Sequence, residues 1–211
     1  MVMQLWRGLW CAWLSGLLLW GSGVGLAAEA DTPTAVVYHL IAAIRRVGTA
    51  EQGKVVSSEP SGAATANAAH VMLDIPAMSQ RTLGKHWAGR SPAEQQEFIA
   101  LFTQLLSQII LPKAASFFQS LEMTATTERI TGQQAVVKTT LRHPKVGRIA
   151  IDYLLVRPDD TWRIHDVVLE GLSLAANLRS QFNHIITQHS YPEFLRRMHE
   201  KVAHATLQAA R

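Results

Sequence analysis

Cysteine is nearly absent: Cys11 is the only one in 211 residues, and it lies in an apolar leader. Trp10 precedes it where a lipoprotein signal needs a small residue, so lipid attachment at Cys11 is not expected. A chain cleaved beyond that point has no thiol. This excludes disulfides, thiolate metal sites and cysteine catalysis together, and suits an oxidising compartment. Charge of one sign is scarce as well. The formal net charge is +4, with Arg7 the only ionisable side chain before Glu29. That mild positive balance is compatible with anionic membrane surfaces and far too weak for a nucleic-acid footprint. HExxH, a nucleophile elbow, a P-loop and GxGxxG are all missing. The pairs His184/His189 and His199/His204 stand five apart, off the i, i+4 spacing of a helical zinc site. Neither a metal nor a cofactor is expected, and nucleic acid is not an expected partner.

What is present begins with export. Arg7, an apolar run from Leu9 to Trp20, and small residues at Gly21, Ser22, Gly23 and Gly25 read as a secretory signal peptide over 1–28. Cleavage fits after Ala27, Ala28 or Ala30, the last in an A-x-A setting. The run is shorter than the ~20 residues that a membrane span prefers. A retained anchor is the alternative. No later stretch reads as transmembrane, because charges or prolines interrupt each one. The remainder, 29–211, reads as one domain, and 48% apolar content is too much for disorder.

Thr32 and Pro33 suit the N-cap and first position of a helix carrying Val36, Val37, Leu40, Ile41, Ile44 and Val47, which Gly48 can close. Residues 48–67 read as a Gly/Ser/Ala-rich loop. Val71 to Trp87 is helical in pattern, broken near Pro76 and again at Gly84. Ser91-Pro92-Ala93-Glu94 is a capping box. The helix behind it carries Phe98, Ile99, Leu101, Phe102, Leu105, Leu106, Ile109 and Ile110, a face wider than one packing stripe requires, until Pro112 ends or kinks it. The period then changes to two. Glu122–Arg129, Gln134–Arg142, Arg148–Val156 and Thr161–Val168 read as four strands with turns too short for crossover helices. Ile149, Ile151, Tyr153 and Leu155 share one strand face, with Asp152 on the other. Leu174–Thr187 and Pro192–Leu207 return to helix. The fold class is therefore α+β: a curved four-stranded antiparallel meander covered by N- and C-terminal helices.

Several blocks in this order carry a family likeness. They are Leu83-Gly84-Lys85-His86-Trp87, Ser91-Pro92-Ala93-Glu94-Gln95 with Phe98, Ile151-Asp152-Tyr153, and Trp162-Arg163-Ile164. Asp166-Val167, Glu170-Gly171-Leu172-Ser173 and Arg179-Ser180-Gln181-Phe182 complete the set. Over about residues 70–200 the chain resembles the MlaC, or toluene-tolerance, family of periplasmic phospholipid-binding proteins; hopanoid-associated relatives share the signature. His189-Ser190-Tyr191 departs from a glycine pair common in that family. The resemblance implies a periplasmic carrier that shuttles phospholipid or a related lipid between inner and outer membranes and so maintains outer-membrane lipid asymmetry. The partners it implies are an inner-membrane ABC transporter with an MCE-domain component and an outer-membrane lipoprotein complex.

Tails in an apolar pocket need burial and no catalysis. Each methylene is worth about 0.8 kcal/mol against water and almost nothing against a bilayer. An oily hollow between the meander and the Ser91-capped helix is the expectation. The candidate lipid-binding residues on the helical side are Leu83, Trp87, Phe98, Phe102, Leu105, Leu106, Ile110, Phe117, Leu174 and Phe182. On the sheet side they are Ile149, Ile151, Tyr153, Leu155 and Trp162. Asp166, Glu170 and Arg179 read as a paired network that fixes the last strand to the following helix. Two other readings stay open: an envelope enzyme using Asp166 and Glu170, and an envelope scaffold whose apolar surface binds proteins. Around Lys145, the cluster Arg142/Lys145/Arg148 is a candidate docking patch.

Overall fold

A computed structural model describes residues 32–51, 69–145 and 147–209. The expected signal peptide and most of the 48–67 loop lie outside the described residues.

The first helix, α1 (Pro33–Glu51), starts as expected, with Ala35 N–H donating to Thr32 Oγ1 at 3.1 Å, but Gly48 does not close it. Asp74 caps α2 (Ile75–Leu83) through Ala77 N–H at 3.0 Å. Pro76 therefore opens that helix rather than breaking one, because a first-turn proline forfeits no hydrogen bond. A 3₁₀ turn, Gly84–His86, follows.

The capping box is formed in full ahead of α3 (Pro92–Leu105): Ser91 N–H donates to Glu94 at 2.8 Å, and Glu94 N–H donates to Ser91 Oγ at 3.3 Å. Pro112 does not end the helix. The chain passes through one π turn, Leu106–Ile110, into α4 (Leu111–Phe118). Proline lacks an N–H and its ring collides with the carbonyl four residues back, here Gln108; a widened turn just before it relieves both problems. The resulting rod, Pro92–Phe118, is long and apolar enough by composition to cross a membrane, contrary to expectation. Its buried residues nevertheless pack into the protein core.

The sheet is a sequential antiparallel meander of β1 (Glu122–Thr131), β2 (Gln134–His143), β3 (Gly147–Val156), β4 (Arg163–Leu169) and β5 (Leu172–Ser173). It has five strands rather than four. The two-residue β5 is too short to show a period, and only the hairpin turn Glu170-Gly171, with φ +49° and +78°, reveals it. Glu170 is held in that left-handed conformation by its backbone N–H on Ala150 O at 2.9 Å and by its carboxylate on Ala150 N–H. Two helices close the chain, α5 (Leu174–Gln188) and α6 (Tyr191–Ala209). The α+β class and the helices covering a meander are as read from sequence.

Candidate functional site: an apolar interior and a cationic cleft

Alternation places Ala135, Val137 and Leu141 of β2 on the same sheet face as Ile149, Ile151, Tyr153 and Leu155 of β3, and all are buried. Asp152 is on the opposite face, paired with Lys138 Nζ at 2.8 Å. The helix that meets β1, β2 and β4 is α1, which also lies along α4. It buries Val36, Val37, Leu40, Ile41, Ala43, Ile44 and Val47. The expected hollow is not open at its centre. Val37, Val137, Leu155, Phe98 and Phe102 are each 0% exposed, so no water-sized void touches them.

Three surface interactions anchor α1. Thr34 donates to Glu128 through its N–H at 2.8 Å and its hydroxyl at 2.6 Å. Tyr38 Oη lies 3.4 Å from Thr126 Oγ1. Arg45 donates to Phe118 O and Leu121 O at 3.3 and 2.8 Å. Sequence reading had given α1 no part in the site, although its apolar spacing is as plain as that of α3.

The candidate residues fall into two groups. Phe98, Phe102 and Phe182 join Tyr191 and Phe194 in an aromatic cluster where α3, α5 and α6 meet. Phe98 lies 6.0–6.1 Å from Phe102, Phe182 and Phe194, and Phe182 lies 4.9 Å from Phe194. The sheet group of Ile149, Ile151, Tyr153 and Leu155 is buried, as are Leu83, Leu105, Leu106 and Trp162. Trp87, Ile110, Phe117 and Leu174 are only half-buried.

Tyr153 is the unusual member. It is 2% exposed and its hydroxyl makes no well-formed hydrogen bond, although the Thr139 hydroxyl lies near it. The neighbouring Thr139 hydroxyl donates instead to Ile151 O at 3.0 Å. Burial pushes the Tyr153 phenol well above its ordinary pKa, and Thr139 and Arg45 only partly offset that.

Asp166, Glu170 and Arg179 do not form the network expected of them. Asp166 accepts from Ser173 Oγ (2.6 Å), Ala175 N–H (3.1 Å) and Val167 N–H (2.9 Å), so it caps α5 together with Ser173. Glu170 is exposed on the β4–β5 turn, tied to β3 backbone. Arg179 lies elsewhere, with its aliphatic stem laid over Gly84. Its two oxygens are taken up by three donors of its own chain, which leaves Asp166 a helix cap rather than a group presented to a substrate.

Arg179 belongs to a cleft of about 590 Å³ between the Gly84–His86 turn and α5, lined by Leu83, Gly84, Lys85, His86, Ala176, Arg179, Ser180 and Asn183. Separately, Arg142 and Arg148 face each other in register on β2 and β3 beside a groove of about 520 Å³ with Thr124, Thr140 and Gly147.

The family model described as MlaC protein matches residues 59–200. The chain belongs to the MlaC family. No curated protein matches it. Among solved structures, this MlaC-family chain is similar to a phospholipid-binding protein from Ralstonia solanacearum, solved in complex with a phospholipid. The identity is 18% and the TM-score 0.59, over 82% of this chain and 96% of that one. At that identity the likeness establishes a shared fold. The blocks from Leu83-Gly84 to Arg179-Ser180-Gln181-Phe182 all lie inside the matched MlaC span.

Proposed function

We infer that this MlaC-family chain is a periplasmic lipid carrier. It holds the acyl tails of a phospholipid or related lipid inside its apolar interior and carries them between the inner and outer membranes, catalysing nothing. The observation that carries this reading is the family match over 59–200. The fold shared with a phospholipid-binding protein supports it, and the side chains packed at the centre shape the mechanism.

Tails gain almost nothing in moving from a bilayer to another apolar medium, so uptake turns on the work of making room. The partition that must move is α1 against the sheet. Its buried side chains from Val36 to Val47 are apolar, while its polar anchors reach Glu128, Thr126 and the carbonyls of Phe118 and Leu121. Parting α1 from the sheet replaces side-chain packing by tail packing and leaves those rim bonds free to re-form with water. Tails then lie against Ile149, Ile151, Tyr153 and Leu155, with Leu105, Leu106 and the half-buried Ile110 and Phe117 lining the way in. The aromatic cluster of Phe98, Phe102 and Phe182 forms the helical wall. An ABC transporter with an MCE-domain component, and an outer-membrane lipoprotein complex, are the partners this role requires.

The test is direct. Protein purified without detergent is extracted with organic solvent and analysed by mass spectrometry, then offered labelled vesicles. Co-purifying lipid, or uptake from vesicles, is the expected result. Protein that is repeatedly lipid-free and takes up nothing overturns the carrier reading.

A further inference from the structure

Two of the blocks that carry the family likeness face each other across the cleft. His86 and Asn183, 97 positions apart, meet there, with Nε2 of the ring 3.0 Å from the amide oxygen Oδ1. Among the described residues the cleft lining contains Lys85 and Arg179 and no carboxylate. Neither cation has an ion-pair partner among the described residues. Both side chains are exposed, and cations on facing elements repel unless an anion lies between them.

Neutral donors complete the lining. Asn183 Oδ1 accepts from His86 Nε2–H and from Thr187 Oγ1 at 3.5 Å, which leaves its NH₂ for a ligand. Ser180 contributes a hydroxyl. Gly84 holds the arrangement in place. Its φ is +57°, which strains any side chain there, and an added Cβ would stand 2.8 Å from Arg179 Cδ, so it would displace the arginine stem that lies over it. The guanidinium is thereby steered to the cleft. Gly84 is a positioning residue for Arg179.

We propose that this cleft binds a phosphate group, with Lys85 and Arg179 neutralising it and Ser180 and Asn183 donating hydrogen bonds. The proposal rests on the carrier reading for its source, the headgroup phosphate of a phospholipid; inorganic phosphate offers the same chemistry.

Two probes separate these sources: inorganic phosphate, and vesicles of phosphatidylglycerol in phosphatidylcholine. Amide shifts at Lys85, Arg179 and Ser180 and vesicle co-sedimentation are followed in wild type, Arg179→Gln and, as a control of equal charge loss, Lys201→Gln on α6. Charge-assisted hydrogen bonds to a bound phosphate are lost with Arg179, so its variant binds about ten-fold more weakly while the control stays within about two-fold. Response to vesicles alone assigns the site to a lipid headgroup, and response to both probes assigns it to the phosphate group itself; either supports the proposal. Equal losses in the two variants, or no response to either probe, overturn it. So does displacement of the amide signals by an acidic peptide and by neither phosphate probe, which would make the cleft a protein-docking surface. Lipid extraction of Arg179→Gln keeps the outcomes apart: retained lipid with lost phosphate binding leaves the tail interior standing. Lipid-free wild type that still binds vesicles through Arg179 separates the cleft from the carrier role.

Discussion

Replacing Tyr153 by Phe removes one oxygen from a place where no well-formed hydrogen bond holds it. In the folded chain the hydroxyl is shut away from water. A buried polar group left unsatisfied costs about 1–3 kcal/mol, and exchange for an apolar group of the same shape returns most of that. The ring stays, so packing against Ile151, Leu155 and the α1 face is unchanged. Tyr153→Phe is therefore expected to be stabilised by about 1–2 kcal/mol. For a chain of this size that raises the melting temperature by roughly 2–8 °C. Urea denaturation monitored by circular dichroism measures it as a higher midpoint at unchanged slope. In the carrier reading a tail-bearing lipid offers the phenol an ester oxygen, so the same variant should take up less lipid even as it becomes more stable. A variant destabilised by more than about 0.5 kcal/mol would refute the reasoning, because it would show that the hydroxyl has a partner in the folded protein.

Phe98→Ala, at a fully buried site touching three other rings, should cost about 3–5 kcal/mol in the same urea assay. Ile110→Asp, at a half-buried rim position, should keep the thermal midpoint close to wild type while lipid uptake from vesicles falls; equal loss of both would return Ile110 to ordinary packing. Gly84→Ala forces a side chain into a positive-φ conformation against Arg179 and should lose about 1–3 kcal/mol, partly recovered in Gly84→Ala/Arg179→Ala. Burial, chiefly, holds His165 and His70 below their ordinary pKa, so each binds its proton more readily when unfolded. Stability is thus full above the ordinary histidine value of about 6.5 and falls as pH drops below it, and His165→Gln should flatten that fall in urea titrations at pH 7 and pH 5.5.

Elements governed by local chemistry were legible in the sequence. Ser91 and Glu94 make the same two bonds wherever a helix follows them, and the alternation from Gln134 to Val156 names its own buried face. What could not be read was which distant surfaces meet. The broad apolar faces of α1 and α3 each ask for cover, and periodicity does not say whether that cover is another helix, the sheet or a lipid. That surplus points to a hollow, whereas α1 covers the sheet face. The Asp166–Glu170–Arg179 network failed for a related reason. Charges in apolar surroundings need partners, but Asp166 finds its own in Ser173 and the Val167 and Ala175 N–H groups, and Arg179 lies over Gly84. The cationic cleft is not legible in the sequence, although both of its sides belong to the family blocks, because nothing in a linear reading places residue 86 beside residue 183.

The π turn before Pro112 also decides how the long rod presents itself. Buried positions run Phe98, Phe102, Leu106, then Leu111, Ala115 and Phe118, with a step of five in the middle. On a regular α-helix five residues sweep about 500°, which would carry Leu111 about 140° around the axis from Leu106. The wider turn absorbs the extra residue and brings the stripe back into line. Ile109 and Ile110, which a constant period would have assigned to the core, are left half-exposed on its shoulder. One residue more than a straight helix needs has been converted into a pair of greasy side chains at the boundary between protein and surroundings.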